Sequence, residues 1–246
     1  MKKTIKEKTV NNKKLNNIND LRSAIKLIKQ YPNQYIETNN QINPINELVE
    51  VYRYIGAGGT VMRPTKIGPA MMFNNIKNFP KYRILIGLMA SRKRISKLLN
   101  LPETKLGINV AKARKNNIPP IMTKKKIIPC QEVKYDANKK SFDLRKILPT
   151  ITNTVDDAGP YICLGLILAN DKEKPNDTDV SIHRLCIQNK NELSIFFAPG
   201  RHIDNFRKKA ESMDKSLDIS INIGLDPAIT KQKRIINFFR AWKTYR

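Results

Sequence analysis

Three apolar segments on short polar connections constrain this chain more than any other feature. YICLGLILA (161–169) is a continuous apolar run with the length of a buried strand. NDKEKPNDTD (170–179) follows as a polar turn. DVSIHRLCI (179–187) and NELSIFFA (191–198) are two more β segments, with QNK between them. Consecutive strands on tight connections lie side by side, so the segments predict an antiparallel meander. Alternation along DVSIHRLCI places Asp179, Ser181, His183 and Leu185 on one face, and Val180, Ile182, Arg184 and Cys186 on the other.

The rest of the chain alternates between helical and β patterns. DLRSAIKLIKQY carries Leu21, Ile25 and Ile28 at helical spacing, with Asp20 in capping position and Pro32 beyond its end. INELVEVYRYI repeats the pattern and ends at GAGG (56–59). PAMMFNNI and RILIGLM read as short buried strands. SRKRISKLLNL is an amphipathic helix from Ser91, with Ile95, Leu98 and Leu99 on its apolar side. RHIDNFRKKAESM is a helix with Ile203, Phe206 and Ala210 on one face, and DISINIGLDPAI returns to β character. The fold class expected is α+β. Residues 1–17 form a polar basic leader, and 18–117 an N-terminal α/β domain. A Pro-containing connector from Ile118 to Cys130 opens a mostly antiparallel β domain over 118–229, and 230–246 form a basic tail holding Trp242.

Composition narrows the function classes. The net charge of +25 raises nucleic acid as a partner, because lysine and arginine release counterions from phosphates. The lysines are spread along the whole chain among Asn and Ile, and no RNA- or DNA-binding motif accompanies them. Nucleic-acid binding therefore ranks last among the alternatives. No run has the length of a transmembrane helix, and the N-terminus lacks the apolar core of a secretory signal. Cys130, Cys163 and Cys186 stand far apart without metal or disulfide spacing, which fits a reducing cytoplasm.

GAGG follows a helix rather than a strand, so it is a helix end and not a dinucleotide loop. VDDAGP pairs Asp156 with Asp157, the usual composition of a solvated turn. The chain's two histidines, His183 and His202, both flank the 178–202 hairpin beside Arg184 and Arg201. An arginine among apolar strand neighbours is costly unless it meets an anion, held by its planar fork. Asp179 and His202 could approach one cation, and oxygen with imidazole suits Mn²⁺, Mg²⁺ or Zn²⁺. Against this stands the plain reading of a strand arginine on a wet edge and a histidine at a helix start.

Several unlinked segments resemble the UbiD family of decarboxylases: ELVEVYRYIGAGGTVMRPTKIGPAMMFNNI, RILIGLMASRKRISKLL, PCQEV, LPTITNTVDDAGPYICLGLILA, TDVSIHRLCIQNKNELSIFFAPGRHIDNFRKKAE and SINIGLDPAI. The branch resembled is the C-type component of the non-oxidative hydroxyarylic acid decarboxylases. The resemblance implies a flavin-binding split β-barrel after the N-terminal domain. It implies prenylated FMN as cofactor, with a divalent metal, Mn²⁺ foremost, and K⁺ at its phosphate. The substrate implied is an aromatic carboxylic acid such as 4-hydroxybenzoate or vanillate, which loses CO₂ without net oxidation. A flavin prenyltransferase would supply the cofactor.

By motif position, the resemblance assigns metal binding to Asp179 and His202. It assigns cofactor contacts to Ser181, Ile182, His183, Phe197, Ala198, Arg201 and His202. Arg184 matches the family's active-site arginine, which touches the cofactor and pairs with a carboxylate. The likeness runs from about Asp20 to Ile229 and stops there. Family members continue past DPAI to a metal-binding glutamate, further carboxylates and an oligomerisation domain. No Asp or Glu follows Asp226 here, so the barrel is expected to be incomplete and Arg184 to stand without its carboxylate. Three readings follow: a decarboxylase of which this is the N-terminal half, a non-catalytic remnant or half of a split enzyme completed by a second chain or by homo-oligomers, and a basic nucleic-acid binder.

Overall fold

The structure is a computed structural model, and it describes residues 18–57, 67–115 and 128–231. The basic leader, the middle of the Ile118–Cys130 connector and the tail from residue 232 lie outside the described residues.

The chain opens with helix α1 (Leu21–Ile28). Asp20 accepts from the Ser23 amide at 2.6 Å, and the Ser23 hydroxyl oxygen accepts from the Asp20 amide at 3.2 Å. This reciprocal box satisfies two amides that a helix start leaves unpaired. Strand β1 (Tyr35–Ile42) follows, then α2 (Glu47–Tyr52), which widens into a π-helical turn over Arg53–Ala57. Strand β2 (Ala70–Ile76) runs parallel to β1, and β3 (Ile84–Ile86) runs antiparallel to β2. Ile42, Leu48, Met71, Phe73 and Ile76 form the core of this first unit. Helix α3 (Arg92–Leu99) is capped by the Ser91 hydroxyl and packs Leu98 on Ala24 and Ile28 of α1. Helices α4 (Leu106–Lys115) and α5 (Leu144–Ile147) follow.

The meander appears as expected. Strands β4 (Tyr161–Asn170), β5 (Thr178–Ile187) and β6 (Leu193–Ile195) are antiparallel neighbours. After α6 (His202–Ser212), β7 (Ile219–Asn222) adds to the far side of β4, giving the order β6-β5-β4-β7. The expected β character of 218–229 holds only for β7, since Pro227–Lys231 is a short helix, α7. Proline at a first helical position lacks only an amide that would be unpaired anyway. This second sheet is open, and no closed barrel occurs among the described residues.

Helix α6 covers one face of the second sheet. Ile203 and Phe206 pack on Ile162, Ile167, Ala169 and Leu185, all nearly inaccessible to water. Full burial of each such side chain stabilises by roughly 1.5–3 kcal/mol. The opposite, outer face is only half covered. Val180 lies with Leu166 and Leu168 beneath Leu225 and Ile229, while Ile182 and Leu164 are open to solvent. The two units are joined through 150–152: Asn46 donates to the Thr152 carbonyl at 2.8 Å, and the Thr152 amide to the Pro44 carbonyl at 3.1 Å.

Candidate active site

The face alternation expected along β5 is the one observed. Leu185 points into the α6 core, and Val180 lies on the outer face. Farther along that outer face, Ile182 and Arg184 border an open groove of about 530 Å³, completed by Tyr161, His183, Ile195 and Phe196. A bulge in β4 between Ile162 and Gly165 re-aims that strand beside the groove. A Cβ at Gly165 would lie 2.4 Å from the Leu185 Cδ1 atom, so a side chain here would make buried Leu185 shift.

Arg184 sits on an interior strand with its guanidinium 4.1 Å above the Tyr161 ring. Its Nη2 donates to Asp157 Oδ1 at 3.1 Å. Arg184 thus meets a carboxylate that the resemblance did not assign to it, and one expectation is corrected: VDDAGP is not simply a solvated turn. Asp156 is exposed, but the Asp157 side chain is only 14% exposed. Asp157 Oδ2 accepts from the Asn153 amide at 2.8 Å and from Asn153 Nδ2 at 3.1 Å. Burial pushes the Asp157 carboxyl up, but the Asn153 amide and the Arg184 guanidinium outweigh it and hold it below the usual range. The same ion pair raises Arg184. Both groups are therefore charged at neutral pH.

His183 is anchored from both ring nitrogens. Nδ1 lies 3.1 Å from the Phe196 carbonyl, and Nε2 lies 2.7 Å from the Ser181 hydroxyl. A carbonyl only accepts, so Nδ1 carries a proton, and in the neutral ring Nε2 accepts from Ser181. The Phe197 ring meets the imidazole edge-on at 5.2 Å. These contacts fix the 196–198 segment against β5. The structure thus brings together Ser181, Ile182, His183, Arg184 and Phe197 around one end of the sheet.

Ala198 accepts from the Arg201 amide at 3.2 Å, which turns the chain through Gly200 into α6. Arg201 and His202 are exposed at the start of that helix, and the His202 ring lies 6.4 Å from Phe206. Asp179 is buried on β5 opposite Ala169. Among the described residues no group of three or more His, Cys, Asp or Glu side chains is placed to hold a metal ion. Asp179 and His202 therefore supply at most two donors, fewer than a typical protein metal site uses.

Sequence reasoning missed Asp157, Asn153, Tyr161 and Phe196. The signal was present in VDDAGPY, where an acidic turn leads directly into the strand beside Arg184. Cross-strand pairing puts Tyr161 opposite Cys186, two residues from Arg184, which brings that turn to the arginine.

Comparison with known proteins converges on one family. Residues 28–114 match the 3-octaprenyl-4-hydroxybenzoate carboxy-lyase N-terminal domain, and 122–232 match the Rift-related domain of the same carboxy-lyases, termed UbiD. The gallate decarboxylase of Lactiplantibacillus plantarum is 46% identical over 212 residues, covering 86% of this chain and 43% of that one. The apo structure of the 3,4-dihydroxybenzoic acid decarboxylase from Enterobacter cloacae superposes with a TM-score of 0.81 at 55% identity, over 86% of this chain and 43% of that one. An evolved dimeric form of the UbiD-class enzyme HmfF from Pelotomaculum thermopropionicum, in complex with prFMN, shares the fold at a TM-score of 0.71 and 24% identity, over 86% of this chain and 45% of that one. The chain thus spans less than half the length of these relatives.

Proposed function

The chain belongs to the UbiD family of carboxy-lyases, and from that premise we propose that it serves the non-oxidative decarboxylation of hydroxylated aromatic acids. The substrate class is 4-hydroxybenzoate, vanillate and the more highly hydroxylated benzoates that its relatives' names indicate. Prenylated FMN is the cofactor, and it supplies the electron sink for loss of CO₂. The observation that carries this reading is the groove on the outer face of β5. Its apolar walls, Ile182 and Phe196, suit a flat ring, and one held arginine, Arg184, borders it.

The chain's own residues divide the work. Arg184 keeps its charge and offers hydrogen bonds to an anionic oxygen. Tyr161 limits the tilt of the guanidinium. His183, braced by Ser181, holds the Phe196 carbonyl and so one wall of the groove, with Phe197 and Ala198 next along the chain as further cofactor contacts. Asp179 and His202 would contribute two ligands to a Mn²⁺ ion, and Arg201 would offer its charge to a cofactor phosphate bound with K⁺. Further ligands and the opposite wall come from polypeptide outside the described residues, in a homo-oligomer or in a second chain. A flavin prenyltransferase loads the cofactor, and the protein works in the cytoplasm.

The test is to co-produce the chain with a flavin prenyltransferase, supply Mn²⁺ and K⁺, and measure flavin absorbance and CO₂ release. Release from a hydroxybenzoate, lowered about 100-fold or more by Arg184→Ala, is the expected result. Protein that never acquires flavin absorbance and releases no CO₂ would sink the reading.

A further inference from the structure

Two arginine–aspartate pairs in this chain are built differently, and the difference bears on the groove. Arg145 meets Asp143 with its fork: Nε donates to Oδ1 at 2.8 Å and Nη2 to Oδ2 at 2.9 Å. Both carboxylate oxygens are used, and the planar edge of the guanidinium is consumed. Arg184 meets Asp157 through a single bond, Nη2 to Oδ1. Asp157 Oδ2 is already occupied by the backbone and side-chain nitrogens of Asn153. Arg184 Nε and Nη1 have no hydrogen-bond partner among the described residues, and the side chain is 52% exposed toward the groove.

We infer that Asp157 is a positioning residue for Arg184, and that Asn153 restricts it to one oxygen so that the guanidinium keeps donors for an anionic oxygen of the ligand. The Tyr161 ring fixes the plane of the guanidinium, and Asp157 fixes its rotation within that plane. A long side chain on an open sheet face would otherwise sample several rotamers, and binding would have to overcome that entropy. The inference rests on the flavin-site reading for the identity of the ligand. It rests on the geometry alone for the coupling between Asp157 and Arg184.

The experiment uses the full chain and two readouts. FMN affinity is titrated by flavin fluorescence, and the order of the Arg184 guanidinium is followed by the ¹⁵N NMR signal of its Nε–H. Asp157→Asn is expected to weaken FMN about tenfold and to broaden the Arg184 signal, as loss of a charge-assisted bond would. Asp156→Asn, one residue away and exposed, is expected to change neither. Asn153→Ala removes the side-chain donor from the second carboxylate oxygen and leaves the backbone amide there, so it is expected to weaken FMN and broaden the Arg184 signal less than Asp157→Asn does. The double variant Asp157→Asn/Arg184→Ala should bind no more weakly than Arg184→Ala alone, whereas an additive loss would overturn the inference. If Asp157→Asn does not fold, Asn153→Ala with its own Arg184 signal decides the matter. If the wild-type chain fails to bind FMN, the flavin reading falls. The NMR arm still stands: a sharp Arg184 signal lost in Asp157→Asn supports the coupling, and an unchanged one refutes it.

Discussion

Arg94 and Arg184 are the same side chain in opposite circumstances. Arg94, on α3, is completely buried, and backbone carbonyls take most of its donors. Its Nε donates to Leu88 at 2.9 Å, Nη2 to Gly87 at 2.8 Å and Gly68 at 3.2 Å, and Nη1 to Gly68 and to the Gln34 side chain at 3.2 Å. It ties the approach to β2, the exit from β3 and the loop before β1 to one point. Burial lowers its pKa, and nearby Tyr52 partly opposes that. Arg184 is half exposed and spends one hydrogen bond on the protein. An arginine whose donors are consumed by carbonyls organises a fold. One held by a single bond at the lip of a groove retains donors for a ligand.

The sharpest way to break this contrast is to remove Arg94. Arg94→Met takes from the half-buried Leu88 and Gly68 carbonyls the donor they have among the described residues, and each such loss costs about 1–3 kcal/mol, so destabilisation on the order of 3 kcal/mol is expected. A urea midpoint that hardly moves would show that the carbonyl cage does not hold the fold. Next in size is Gly87→Ala. Gly87 has φ +76°, its carbonyl accepts from Arg94, and a Cβ there would lie 1.9 Å from the Tyr52 hydroxyl oxygen. We expect a loss of about 1–3 kcal/mol, read from the same denaturation curves.

Asp204 tests whether a buried carboxylate on α6 belongs with the structural arginine. Its carboxylate accepts from Arg207 at 2.8 Å and from the Gly200 amide at 3.0 Å, and Arg207 foremost pulls its pKa from 3.8 to about 2. The folded state therefore binds this proton more weakly than the unfolded state. Its stabilising effect is complete above 3.8 and is lost as pH falls toward about 2. The melting temperatures of wild type and Asp204→Asn should converge across that window. A constant gap would remove Asp204 as the cause.

The smallest expected effect on stability is that of Arg184→Ala. Arg184 is half exposed, and its mostly buried partner Asp157 stays held by Asn153, so the loss should be about 1 kcal/mol and the urea midpoint should move little. Ligand binding should fall far more than stability. A large stability loss with intact binding would reverse the roles assigned to the two arginines.

How much of this was legible in the sequence varies by element. Helices α1, α3 and α6 were readable because apolar spacing is local, as is the Asp20 cap of α1. The meander was readable because apolar runs and turns alternate. Strand β1 was not foreseen: YIETNNQI is polar and half of it is exposed, and only its pairing with β2 makes it a strand. Helix α4 carries only a weak apolar stripe and also escaped notice. Arg94 reads as one more charge on the polar side of SRKRISKLLNL, yet it is buried.

The site divides in the same way. Arg184, Ser181, Ile182 and His183 lie on one strand, so their relation follows from a period of two residues. Asp157 reaches Arg184 across 27 positions through the pairing of β4 with β5, and no local rule supplies that contact.

The sequence by itself determined the strand order of the meander, three amphipathic helices and the cap of the first, the family and the strand that bears the arginine. These depend on periodicity and on interactions within a few residues. Only the tertiary structure decided which arginine is buried, which carboxylate holds the other, and which half of the outer sheet face stays open. Those outcomes depend on what each side chain meets across the fold, where burial and charge pairing between distant segments fix the energy.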